Sequence, residues 1–95
     1  MGDSTGFAVT IAYSFDAEVR TYLFTTFAKA RQFMEDSFQN ELRVDQDENG
    51  LRPEHEISFC DDISGCATIT NRRPRGDDVT YWWLGEIRRD AHASS

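Results

Sequence analysis

An acidic stretch, residues 45–56, places oxygen-bearing side chains at the intervals that a divalent cation needs. The side chains that carry these oxygens are Asp45, Asp47, Asn49 and Glu56. Gly50 stands between them, where the chain has to bend sharply. Because Ca²⁺ prefers several oxygen ligands, including a glutamate that binds through both carboxylate oxygens, the spacing predicts a candidate calcium site.

Position by position, this stretch resembles the calcium loop of the EF-hand family. The resemblance implies that Leu51 adds a carbonyl ligand, that Gly50 forms the bend and that Glu56 binds through both oxygens. Two positions depart from the family pattern: Arg52 replaces an aliphatic residue, and Pro53 replaces a frequent water-mediated ligand. The family also carries its loops in pairs, whereas this sequence has one. Calcium binding is therefore kept as an alternative, and the main prediction is that no cofactor is bound.

The charge of the chain is the second feature that bears on function. The 95 residues carry 17 acidic and 10 basic side chains, a net charge of −7, and Lys29 is the only lysine. Residues 45–62 hold seven of the acids against Arg52 alone. Because phosphate groups repel such a surface, the composition argues against nucleic-acid binding and favours a basic protein partner or a metal ion.

The elements that position these residues are predicted from hydrophobic periodicity. Large apolar residues alternate with small ones over 7–15, which predicts a strand, and a short link leads to a second strand over 18–24. The period then changes to that of an amphipathic helix over about 26–44, with Thr25 or Thr26 as its N-cap. The helical face that we expect in the core comprises Phe27, Ala30, Phe33, Met34, Phe38 and Leu42.

The second half predicts three more strands, over 55–60, 66–70 and 79–87, separated by turn residues. In a competing interpretation, Pro53 opens a helix that continues to Ile63. With the strand preferred, the order is ββαβββ, an α+β fold with one helix on one face of an antiparallel sheet. We predict a single domain over 1–95, with an ordered core at 6–88 and frayed ends at 1–5 and 89–95.

The last predicted strand has apolar residues on both of its faces. We expect Tyr81 and Trp83 to face the helix, and Trp82 and Leu84 to lie on the open face with an aromatic residue such as Tyr22 or Phe24. An exposed aromatic patch of this kind is typical of an interface. A terminal segment or a second copy of the chain, forming a homodimer through the Trp82 face, are the alternatives that would cover it.

A basic loop follows the fourth strand, at Arg72, Arg73 and Arg75. Its guanidinium groups suit a phosphate or a carboxylate surface. The alternative is a turn kept soluble by charge and balanced locally by Asp77 and Asp78.

Neither the cysteines nor the histidines form a recognisable reactive site. Cys60 and Cys66 flank a predicted turn and are expected to be half-buried thiols, although a disulfide between them is left open. His55 and His92 are isolated, and no serine or cysteine stands in a known nucleophile motif. We therefore predict a protein that is not an enzyme. Without a signal-peptide pattern, we expect it in the bacterial cytoplasm.

These traits together favour a small protein that acts through protein–protein contact. In its size, acidity and lack of a targeting pattern, the chain resembles the phage-encoded anti-CRISPR and DNA-mimic inhibitors, which occupy nucleic-acid-binding surfaces of host defence proteins. The resemblance implies that acidic side chains stand in for phosphates and make binding salt-sensitive. The predicted partner-binding residues are Glu35, Asp36, Asp45, Asp47, Glu48, Glu54, Glu56, Asp61, Asp62, Trp82, Arg72, Arg73 and Arg75.

Overall fold

The computed structural model describes residues 5–88, and one five-stranded antiparallel sheet with one helix accounts for most of them. The frayed ends predicted at 1–5 and 89–95 fall, apart from Thr5, outside the described residues. The elements in chain order are β1 (Thr5–Tyr13), β2 (Asp16–Phe24), α1 (Phe27–Arg43), a π-helical segment (Val44–Glu48), β3 (Glu54–Cys60), β4 (Ser64–Asn71) and β5 (Asp78–Arg88). The predicted α+β fold and its ββαβββ order are confirmed.

The sheet has the strand order β2-β1-β5-β4-β3, so that β5 is central and β2 and β3 are the edges. Every neighbouring pair is antiparallel. The long-range pairing of β1 with β5 joins the two halves of the chain, and its register sets Ile11 opposite Trp82 and Val9 opposite Leu84. Since directly opposite residues point to the same side of a sheet, these four side chains form the centre of one face.

Helix α1 covers that face along its apolar stripe. Thr26 caps its first turn, where the Thr26 hydroxyl accepts a hydrogen bond from the backbone N–H of Lys29 at 3.2 Å. The predicted core side chains Ala30, Met34, Phe38 and Leu42 are buried, and Phe27 and Phe33 pack at the margin. The 3.6-residue period of the sequence therefore identified the buried face of α1 correctly.

The segment after α1 settles the choice between strand and helix at residues 54–60. The helix continues as one π-helical turn to Glu48, and Gly50 then adopts a left-handed conformation with φ of 65°. This conformation suits glycine and redirects the chain into β3. Residues 54–60 form a strand, so the competing helical interpretation is wrong. Within the described residues, no helix is long and apolar enough to cross a membrane.

Candidate interaction surfaces

The residues predicted to hold calcium do not converge in the structure. Asp45 is in the π-helical segment, only 8 % exposed, and its Oδ2 accepts a hydrogen bond from the Asn71 side chain at 2.9 Å. Glu56 lies in β3 and is exposed. Because Ile57 packs against the core under α1, its neighbour Glu56 points to the opposite side of the sheet. The geometry of an EF-hand loop is therefore absent from the described residues.

Asp45 instead holds the end of the helix to the sheet. Its backbone carbonyl accepts a hydrogen bond from Leu51 N–H at 2.8 Å, and its carboxylate is bonded to Asn71 at the end of β4. Both contacts are made by a residue that the sequence suggested as a cation ligand and as a partner-binding acid. With 8 % of its surface exposed and its carboxylate bonded to Asn71, Asp45 offers little surface to a partner protein.

A small polar recess of 190 Å³ lies beside Asp45, at the end of α1. The side chains around it include Glu41, Arg73 and Thr80. Burial raises the pKa of the half-buried Glu41 carboxyl, and the nearby negative charge of Asp45 raises it further. No group of three or more histidine, cysteine or acidic side chains that could hold a metal ion occurs in the part of the chain that the structure describes.

Several of the acids predicted to contact a partner are engaged within the molecule. Glu35 pairs with Arg31 at 3.7 Å, and Glu48 pairs with Arg43 at 3.6 Å. Asp36 accepts a hydrogen bond from Gln32 at 2.9 Å. Exposed pairs of this kind are weak and leave the carboxylates accessible. They weaken the negative electrostatic potential at this surface but do not abolish it.

A second set of predicted acids lies before, along and after the edge strand β3. They are Asp47, Glu54, Glu56, Asp61 and Asp62, all exposed. Asp47 lies in the π-helical segment before β3, and Asp61 and Asp62 form the turn after it. Both turn residues have positive φ, 55° and 59°, a conformation that aspartate tolerates better than most residues. We call these five residues the acidic edge.

The arginine loop is tied into the same part of the molecule. Arg72 donates to Glu54 at 2.8 and 3.1 Å and lies 3.5 Å from Asp77. This bidentate contact holds the pKa of the Glu54 carboxyl below its usual value. Arg73 pairs with Asp78. Arg72 and Arg73 thus match the alternative of local charge balance at a turn, and both remain exposed.

The prediction for the aromatic residues of β5 is wrong. Trp82 is 1 % exposed, its Nε1 donates to the Ser37 hydroxyl at 3.0 Å and its ring meets Phe38 edge-on. Leu84 is buried beside it. Trp83 is 49 % exposed and belongs to the opposite, open face. Each side chain of β5 therefore lies on the face of the sheet opposite to the predicted one.

The prediction that Tyr22 or Phe24 lies on the open face is also wrong. Tyr22 and Phe24 pack on Phe33 of α1, with ring centroids 4.7 and 5.2 Å apart. The signal that would have corrected the prediction is β1, where the large residues alternate with alanine and threonine and can face only the core. A residue of β5 that lies opposite Ile11 has to face the helix as well.

The open face therefore has a different composition from the predicted one. Its large exposed apolar side chains are Val19, Leu23, Trp83 and Ile87. Tyr81 stacks on Trp83 with the ring planes 4° apart and the centroids 5.4 Å apart. The other positions of this face on β2, β1, β5 and β4 include Gly6, Ala8, Thr10, Ala12, Thr21, Ser64, Cys66, Thr68, Thr70, Val79 and Gly85. No charged side chain occurs among these described positions.

Both cysteines lie on the open face, Cys66 on β4 and Cys60 at the end of the edge strand β3. Both are free and exposed, rather than half-buried as expected. Cys66 pairs with Ser58 across the β3–β4 ladder, and Cys60 pairs with Ser64, so the two thiols are diagonal rather than directly opposite. Cys60 donates to the Asp61 carboxylate at 3.7 Å.

No protein-family model, no curated protein and no solved structure matches the chain.

Proposed function

We propose that this chain is a small acidic protein-binding module whose partner presents a basic, nucleic-acid-binding surface. The observation that carries the proposal is the acidic edge, where exposed carboxylates lie before, along and after β3. A surface of this charge attracts a basic groove over several ångströms and raises the rate of association. The corresponding biological role is that of an inhibitor encoded by a phage or a mobile element.

The length of β3 and the spacing of its carboxylates support the proposal. β3 spans seven residues, which is about 23 Å at ~3.3 Å per residue. Glu54 and Glu56 project from the same side of it, and the Asp61–Asp62 turn extends the charge beyond its end. A row of carboxylates on a rigid strand can replace a row of backbone phosphates without folding on contact, so little entropy is lost on binding.

Acidic residues on an edge strand also prevent pairing with the edge of another sheet. The experiment has to separate this protective role from partner binding. The test variant is Asp47→Asn with Glu56→Gln, which removes two negative charges from the acidic edge. The control variant is Ala28→Lys with Gln39→Lys, which changes the net charge equally at two exposed positions of α1.

Each protein is immobilised and exposed to nuclease-treated bacterial lysate, and retained proteins are eluted with a salt gradient and with duplex DNA. We expect the wild type and the control to retain a DNA-binding protein that both eluents release. The acidic-edge variant should retain at least tenfold less of it. Equal retention by the two variants, or retention that DNA does not reverse, contradicts the proposal.

A further inference from the structure

The open face carries a second feature, independent of the acidic edge. Its central strand β5 bears a ridge of large rings, Tyr81 and Trp83. The neighbouring strand β1 bears only small side chains on this side, at Ala8, Thr10 and Ala12. The register sets Thr10 beside Trp83 and Ala12 beside Tyr81, so that a ridge and a groove run side by side at the same height.

We propose that this ridge and groove form an interface with a second copy of the chain. A two-fold axis that lies between the two copies, parallel to the strands and between β1 and β5, places β5 of one copy over β1 of the other. Each Tyr81–Trp83 ridge then enters the partner's groove of alanine and threonine. The contact is self-complementary, as a two-fold interface requires.

The distribution of charge favours a second copy as the occupant. The chain has a net charge of −7 and 28 % charged residues, yet the described open-face positions on four strands are uncharged. Two acidic molecules can therefore meet on this face without like charges in contact. With the axis parallel to the strands, the acidic β3 of each copy lies outside the contact rather than against the other β3.

The size of the face is also adequate for a dimer. Four strands about 4.8 Å apart and about nine residues long present a flat area on the order of 600 Å². Side-chain relief increases its accessible surface toward the ~800 Å² that each partner contributes to a stable interface. Leu23 at 71 % exposure and Val19 at 57 % extend the apolar area across β2.

The oligomeric state of the full chain in solution tests the proposal. Light scattering after size exclusion at micromolar concentration should give twice the chain mass of 10.9 kDa. Trp83→Arg adds a charge to the ridge and should raise the dimer dissociation constant at least 100-fold. Ala12→Trp fills the groove with bulk alone and should also dissociate the dimer. Gln39→Arg, the matched control on the outer side of α1, should remain dimeric.

Thermal melting with circular dichroism confirms that each variant is folded, and Ala12→Trp keeps the test usable if Trp83→Arg does not fold. A monomeric wild type overturns the proposal, and so does a dimer that survives both substitutions in folded protein. The acidic-edge variant Asp47→Asn with Glu56→Gln should remain dimeric. The proposed dimer and the proposed binding of a basic partner are therefore tested independently.

Discussion

The two faces of the sheet are built from the same strands, and both carry large aromatic residues. On the covered face, Trp82 packs against Phe38 and satisfies its indole N–H through Ser37. On the open face, Tyr81 is the one described aromatic residue in ring contact with Trp83, which keeps half of its surface exposed. Residue type alone therefore does not assign a side chain to core or interface. The assignment depends on which element covers the face.

The two faces also differ in how their acidic side chains are stabilised. On the covered side, Asp45 is bonded to Asn71 and Glu41 is half-buried at the end of α1. Among the described strand positions, the carboxylates on the open side are at its β3 margin, at Glu54 and Glu56. A charge near the core has to be matched by a hydrogen bond, whereas a charge on the margin remains hydrated.

The largest predicted effect is the difference between two adjacent tryptophans. Trp82→Ala removes the largest fully buried side chain and its hydrogen bond, and should lower the free energy of unfolding by about 3–5 kcal/mol. Trp83→Ala is its matched control and should cost roughly 1 kcal/mol, the worth of a stacked aromatic pair. Urea denaturation of both variants, below the concentration at which the chain associates, measures the difference. Equal losses would break the distinction between the two faces.

A smaller effect is expected at the end of the covered face. Asn71→Ala removes the donor that Asp45 uses and leaves a carboxylate with 8 % exposure without that bond, which should cost about 1–3 kcal/mol. Asp47→Ala, two residues along the same segment but exposed, should change stability by no more than ~0.5 kcal/mol. The same denaturation assay compares them. An Asn71→Ala protein as stable as the wild type would show that Asp45 is not anchored in this way.

The pH dependence of stability gives a finer test of the same region. The folded pKa of Glu41 is raised above 4.5 by burial and by the charge of Asp45. The folded state therefore binds the proton more tightly, and its stability falls as pH rises from about 4.5 through the folded pKa. Glu41→Gln should melt at a higher temperature than the wild type at pH 7 and lose this advantage below pH 4.5.

Glu56→Gln is the control, since it removes the same charge from an exposed position of β3. Its melting temperature relative to the wild type should not change in the same way between the two pH values. If Glu41→Gln and Glu56→Gln behave alike, the shift of Glu41 is not the cause of the pH dependence.

The smallest expected effect is that of calcium. Asp45 lies at the end of the covered side and Glu56 points to the open side, so one ion cannot contact both carboxylates in this fold. Millimolar calcium and a chelator should give the same melting temperature. An ion present at 100 times its dissociation constant would stabilise the fold by about 2.7 kcal/mol. A shift of that size would show that residues 45–56 rearrange around calcium.

Much of the fold could be predicted because its local signals agree with one another. The alternation in β1, the helical period from Phe27 to Leu42 and the cap at Thr26 each specify one element, and all three are confirmed. The surface was harder to predict. Asp45 and Asp47 look equivalent in a charge pattern, and only the packing of the π-helical segment against β4 separates the buried one from the exposed one.

Periodicity established that β5 has two faces, and pairing across the sheet established which one is the core. Both sets of its side chains, Trp82 with Leu84 and Tyr81 with Trp83, are apolar enough to be buried. The choice is made by β1, which sets Ile11 opposite Trp82, 71 residues away in sequence. The residues around Trp82 do not specify this partner, because the pairing depends on a distant part of the sequence. A shift of one residue in the register would move every side chain of β5 to the other face.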